Sequence, residues 1–317
     1  MINKPQTKPG KQPLRTVPKG VMHVPVTPFK EDTEVDYDTF EKLVDWHVRQ
    51  APSSLCVILH IAESVSLTKE EHKKLIEISA RVTNGRVPVI ANVSMAGTDQ
   101  AVDLARHSEK VGADAIICII PYYWPVPEEA LYDHFVRVAT ATDLPFMIYN
   151  SPILQGVSLS PKFLVRLIER LPNFIGEKEA SHNFEYFIEA RRATQAVRPE
   201  FGLILGVEYI IPSVSMGGVG SMSIAGGVAP RMMQRLYDLC AEGRFFNAIP
   251  LQDKASQFWQ LFKPEYPAPI KAAMEMMGRP VGPVRGPMRS LTDEQKGKLR
   301  KELEALGVFD GSEPRGW

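Results

Sequence analysis

The chain has 317 residues, 44% of them hydrophobic, with 37 basic against 37 acidic side chains. That is ample apolar material for a large core, and a net charge of zero gives no reason to expect nucleic acid or an anionic membrane as partner. No apolar run approaches the roughly 20 residues that a membrane-spanning helix needs.

Residues 1–19 read as a flexible basic tail, with Lys4, Lys8, Lys11, Arg15 and Lys19, four prolines, no acid and no signal-peptide core. From Gly20 onward short apolar runs alternate with amphipathic ones. VMHVPVT (21–27) precedes the helical pattern YDTFEKLVDWHVRQ, and SLCVILH (54–60) precedes EEHKKLIEISARV. PVIANV (88–93) leads to QAVDLARHSEKVG, then come AIICII (115–120), PFMIYN (145–150) and the pattern PKFLVRLIERL. NFIGEK (173–178), FGLILG (201–206) and VGSMSI (219–224) follow, with MMQRLYDLCAEG after the last. The strand-length runs are rich in branched residues, and the helical ones place apolar residues at three- and four-residue steps.

Eight near-continuous apolar strands with crossover helices predict a closed (β/α)8 TIM barrel over residues 20–241. An open doubly wound sheet is the rival, but no glycine-rich phosphate turn follows an early strand. GGVG (217–220) reads instead as a tight turn into the eighth strand. Beyond it FNAIPLQDKASQFWQLF, APIKAAMEMMG and TDEQKGKLRKELEALG predict a C-terminal helical extension over 242–317. The cysteines Cys56, Cys118 and Cys240 are widely spaced, form no CxxC pair or disulfide framework, and suggest a reducing, cytoplasmic location.

Active sites of such barrels lie at the strands' C-terminal ends, where inward and outward side chains alternate. Those ends offer His60, Asn92, Tyr149, Lys178, Gly206 and Ser221. In GEKEASHN (176–183), Lys178 shares parity with Phe174 and Gly176. If Phe174 points into the barrel, Lys178 does too, with Gly176 leaving room beside its stem. An amine held there loses hydration, and its free base attacks carbonyls; a solvated lysine paired with Glu177 or Glu179 is the plainer alternative. Tyr149 ends the preceding strand, close enough for its phenol to carry protons. No HxH, HExxH or carboxylate cluster marks a metal site, so neither metal nor organic cofactor is expected.

YNSP (149–152) with GEKEASHN resembles the dihydrodipicolinate synthase and N-acetylneuraminate lyase family of Schiff-base aldolases. The resemblance runs from Gly20 to about Val308 and includes VTPF (26–29), LTKEEH (67–72), GRVPVIANV (85–93), PYYWPVPEEALYDHF (121–135) and RGPMRSLT (285–292). It implies that Lys178 condenses with the ketone of pyruvate or a related 2-keto acid, and that a C–C bond to an aldehyde is made or broken. Tyr149 matches the family's proton-transferring phenol. Tyr123 matches a tyrosine that reaches a neighbouring subunit's site, which implies a homodimer or homotetramer. A Schiff-base dehydratase or hydratase-aldolase acting on a deoxy sugar acid or other 2-keto acid, and a non-catalytic keto-acid-binding paralogue, are the alternatives.

The departures concern the substrate. Where the family carries Gly-Thr-Thr-Gly-Glu or a near variant, this chain reads Leu59, His60, Ile61, Ala62, Glu63. His60 stands at the relay hydroxyl, as a proton relay, an anion-binding imidazolium or a layer-filling histidine. Ile61 and Ala62 could offer a carboxylate only backbone amides. Leu154 occupies the position of the arginine that grips the semialdehyde carboxylate in the synthases, and offers no donor. Gly206, Glu208, Ser221 and Met222 complete the expected substrate-binding set, and Trp124 an apolar wall suited to a less polar aldehyde.

Overall fold

The computed structural model describes residues 14–122 and 126–317. Eight parallel strands close into one barrel in chain order: β1 Gly20–His23, β2 Ser54–Val57, β3 Val89–Asn92, β4 Ala115–Ile119, β5 Phe146–Asn150, β6 Phe174–Glu179, β7 Gly202–Gly206 and β8 Gly220–Ser223. The seam pairs β1 with β8, Gly20 opposite Gly220 and His23 opposite Ser223. Helices α1 Tyr37–Arg49, α2 Lys69–Thr83, α3 Thr98–Val111 and α4 Glu128–Ala139 follow the first four strands in turn. Then come α5 Pro152–Gln155, α6 Pro161–Arg170, α7 Phe184–Val197, α8 Ile210–Ser215 and α9 Pro230–Ala241. The extension adds α10 Phe245–Phe262, α11 Ala268–Met276 and α12 Asp293–Ala305.

The elements end for local reasons. β1 and β2 are shorter than their apolar runs predict. Pro25 brings no N–H to a ladder, and Ile58 turns to φ +61°, outside strand geometry. Helix α2 starts on a capping box: Thr68 accepts from the Glu71 amide, and the Glu71 carboxylate accepts from the Thr68 amide. Asn183 caps α7 through the Tyr186 amide.

The parity expected along β6 is broken by an extra residue. Phe146 pairs with Phe174, but Met147 pairs with Gly176, so Ile175 is inserted as a bulge. Phe174 consequently packs outward, 5.7 Å from the Phe146 ring and 4.9 Å from that of Phe201, in the layer that includes Phe163 of α6 and Phe187 of α7. Past the bulge the alternation resumes in the other phase. Glu177 faces α7, where Tyr186 donates to its carboxylate at 2.8 Å, and Lys178 faces the barrel interior.

Gly176 does not make room for the lysine stem. A Cβ there would lie 2.3 Å from Val17 and 2.4 Å from the Gly202 carbonyl oxygen. Val17, assigned to the flexible tail on sequence grounds, is only 2% exposed. It enters the barrel from the strands' N-terminal end, opposite the face where Lys178 opens. Among the described residues no helix is long and apolar enough to cross a membrane.

Candidate active site

Lys178 and Tyr149 are register partners on β6 and β5. The lysine is 7% exposed, and its Nζ sits 3.7 Å from the centroid of the Tyr149 ring, over the aromatic face. Gly206, at the end of β7, is what accommodates the lysine: a Cβ on it would stand 3.1 Å from Lys178 Cε and 3.0 Å from Ala180 Cβ. These residues line a pocket of about 650 Å³ at the strands' C-terminal ends.

The turn after β2 forms one wall. His60–Ala62 is a single 3-10 turn, and Glu63 leaves it in the left-handed region at φ +56°. That conformation is held by a buried ion pair, Glu63 to Lys271 of α11 at 2.7 Å. The Arg285 amide donates to the other Glu63 oxygen at 2.7 Å, while the Arg285 side chain clamps Glu71. Glu63 thereby ties the pocket wall to the C-terminal extension. Burial lowers the Lys271 pKa to about 8, against the pull of Glu63.

His60 and Ile61 line the pocket, as do Gly206 and Met222. The His60 ring stacks on Tyr266 at 5.0 Å between centroids. Although His60 opens to the pocket, the protein around it lowers its pKa to about 4, with repulsion from Lys178 adding to desolvation. That shift favours the neutral imidazole near pH 7 and weighs against an anion-binding imidazolium.

Three expected substrate contacts are not pocket walls. The Ala62 amide is spent on the Leu59 carbonyl at 2.9 Å, and its own carbonyl accepts from Thr27 at 2.7 Å. Ser221 donates its hydroxyl to the Val207 carbonyl. Glu208 is buried behind the pocket, accepting from Ser223 at 3.0 Å and from the Ala225 amide at 2.7 Å; burial raises its pKa to about 7. Glu208 is carried there by the turn after β7, where Val207 adopts φ +63°. Tyr123 and Trp124 lie outside the described residues.

A second chamber of about 200 Å³ shares Leu59, His60, Tyr149 and Leu154 with the first. Asn92, Ser94 and Tyr122 face it. Asn92 is fixed by donation to the Ile58 carbonyl at 2.7 Å.

What sequence reasoning missed comes from outside the barrel strands. Trp259, Gln260 and Lys263, at the end of α10, and Tyr266 just beyond it fold back over the mouth. His182 and Tyr209 face them from the loops after β6 and β7, and Phe184 from the first turn of α7. Burial drives the Tyr266 pKa well above its ordinary value, so it stays a neutral phenol. The aromatic run FWQLF was visible as a helix, but nothing in its spacing says where the helix returns.

Known proteins resemble the chain over most of its length. The model of the dihydrodipicolinate synthetase family matches residues 17–306. The chain is 33% identical over 297 residues to the 4-hydroxy-tetrahydrodipicolinate synthase of Gluconacetobacter diazotrophicus, covering 93% of this chain and 99% of that one. YagE, a prophage protein of E. coli K12 in the dihydrodipicolinic acid synthase family, solved in complex with pyruvate, superposes with a TM-score of 0.88 at 27% identity, covering 92% and 99% of the two chains. Dihydrodipicolinate synthase from Aquifex aeolicus gives a TM-score of 0.87 at 31% identity, covering 92% and 98%.

Proposed function

The chain belongs to the dihydrodipicolinate synthetase family and is a class I lyase of the Schiff-base aldolase kind; from that premise we propose that Lys178 is the amine that captures pyruvate and Tyr149 the phenol that moves its protons. The observation that carries the reading is the pairing of the two side chains, buried and in contact, within one pocket.

Lys178 Nζ adds to the C2 carbonyl of pyruvate, and loss of water leaves an iminium ion. Its positive nitrogen draws electrons from the adjacent C3–H bond, so a proton departs and an enamine forms. The enamine carbon attacks the carbonyl carbon of the aldehyde, whose oxygen takes up a proton. Hydrolysis then frees the product and restores the amine. Tyr149 lies under the amine and serves as donor to the leaving hydroxyl and to the new alkoxide. Neutral His60 stands where relatives keep a relay hydroxyl, and can accept or donate through either ring nitrogen. Pyruvate's carboxylate takes the amides at the head of the 3-10 turn, His60 and Ile61, since Ala62 is committed.

A homodimer or homotetramer belongs to the same proposal, on the resemblance at Tyr123, and sedimentation tests it. So does a reducing, cytoplasmic setting, supported by three free, buried cysteines. The chemical test is borohydride reduction with pyruvate. Peptide mapping should locate a reduced pyruvyl adduct on Lys178, absent from Lys178→Ala. An unmodified Lys178, or an adduct elsewhere, overturns the assignment.

A further inference from the structure

We propose that the acceptor used by this pocket is an aryl or comparably flat apolar aldehyde, not a carboxylate-bearing aliphatic one. The inference rests on the Schiff-base reading above and adds the class of the second substrate.

Charge is the first argument. Among the described residues the pocket has no arginine and no carboxylate on its walls, and its lysines are Lys178 and Lys263. Lys178 is taken by the keto acid. With the amides of the 3-10 turn taken by pyruvate, a second carboxylate carried deep into this site meets the Leu154 and Met222 side chains where it needs donors, and burying it unpaired is costly.

Exposed apolar surface is the second argument, and it is independent of the first. Ile153 is 69% exposed, Leu154 45% and Phe184 43%, and all three line this pocket. Large apolar side chains left wet around one concavity mark a surface built to be covered. An apolar ligand of matching shape covers them; a hydrated semialdehyde does not.

Ring geometry is the third. One wall is a continuous chain of ring contacts. His60 stacks on Tyr266, and Tyr266 meets Trp259 edge-to-face at 6.4 Å between centroids. Trp259 neighbours His182 at 6.4 Å, and His182 meets Tyr209 edge-to-face at 5.7 Å. Such a chain offers faces and edges to a planar guest at low entropic cost. The balanced reaction joins C3 of pyruvate to the carbonyl carbon of the aldehyde. The proton lost from C3 ends on the former aldehyde oxygen, and water releases a 4-aryl-4-hydroxy-2-oxobutanoate.

The test compares benzaldehyde, propanal and aspartate semialdehyde as acceptors, following pyruvate consumption by the full chain. Borohydride trapping with pyruvate alone is run beside it. We expect kcat/KM for benzaldehyde to exceed that for the semialdehyde by about tenfold or more, the scale set by an unmatched polar group against a filled apolar pocket. Trp259→Ala should lower the benzaldehyde value about tenfold and raise its KM, with a smaller effect on propanal, as loss of a ring contact implies. Trp259→Leu keeps bulk and serves if the alanine variant folds poorly. Preference for the semialdehyde, abolished in Lys263→Met, overturns the aldehyde class while leaving the imine chemistry standing. Equal losses for benzaldehyde and propanal in both Trp259 variants overturn it as well. Absence of trapping on Lys178 refutes the underlying reading, which the aldehyde ranking alone does not.

Discussion

Adding one methyl group at Gly206 should cripple capture of the keto acid without unfolding the barrel. The Gly206 backbone is not in the left-handed region, so alanine introduces no φ strain there. Its Cβ would, however, stand 3.1 Å from Lys178 Cε and 3.0 Å from Ala180 Cβ. Carbon atoms in contact settle at about 3.5–4.0 Å, so a neighbour must give by a few tenths of an ångström. Ala180 is attached to backbone, whereas Cε is the free end of the lysine stem; the lysine moves. Displacement of a reacting atom by about 1 Å costs on the order of 100-fold in rate, so a shift of a few tenths of an ångström predicts formation of the trapped imine slowed by about 4- to 10-fold. Crowding the strand end costs about 1–3 kcal/mol of stability in addition. Rapid-quench borohydride trapping with saturating pyruvate reads the rate, and circular dichroism with thermal unfolding reads the fold. A folded Gly206→Ala protein that captures pyruvate at the native rate refutes the claim that this glycine sets the position of the amine.

Lys271→Met should destabilise the protein by about 3–5 kcal/mol in urea unfolding, because it strands the buried Glu63 carboxylate; adding Glu63→Gln should recover much of that loss. His23 and His47 are buried with their Nδ1 atoms 3.1 Å apart, and burial lowers the His23 pKa to about 3. The unfolded chain therefore takes up the proton first, near its ordinary 6.5. Stability from this group is present above that pH and should fall by about 1.4 kcal/mol per unit as pH drops toward 3, which denaturant midpoints against pH would display. Glu177 has the opposite sign: burial raises its pKa from 4.5 to about 8, so the wild type loses stability as pH rises through that window. Glu177→Gln should flatten this slope and be the more stable protein at pH 8, by up to a few kcal/mol.

The barrel was legible because its strands are buried on both faces, and the alternation of short branched runs with amphipathic helices has few other solutions. Lys178 and Tyr149 were legible as strand-end residues and through the motifs around them. Lys178 faces inward, but not because it shares a face with Phe174. Phe174 points outward, and only the Ile175 bulge restores the lysine to the interior. A bulge has no signature in FIGEK, because whether one residue is skipped depends on the partner strand. Glu208 lies behind the pocket because the left-handed turn at Val207 re-aims the chain, and Ser221 because its neighbour Met222 takes the inward position on β8. The wall formed by Trp259 and Tyr266 is tertiary throughout, set by how α10 docks on the barrel.

The pairing of the first strand with the last also governs how such a chain must be made. Gly20 waits for Gly220, and at about 5–20 residues per second translation needs roughly 10–40 s to supply the intervening stretch of about 200 residues. Val17 likewise waits for the glycines of β6 and β7. Throughout that interval the nascent sheet carries an unpaired edge and an unplugged floor. Cellular yield should therefore depend on how well that edge is shielded during synthesis as well as on the stability of the finished ring.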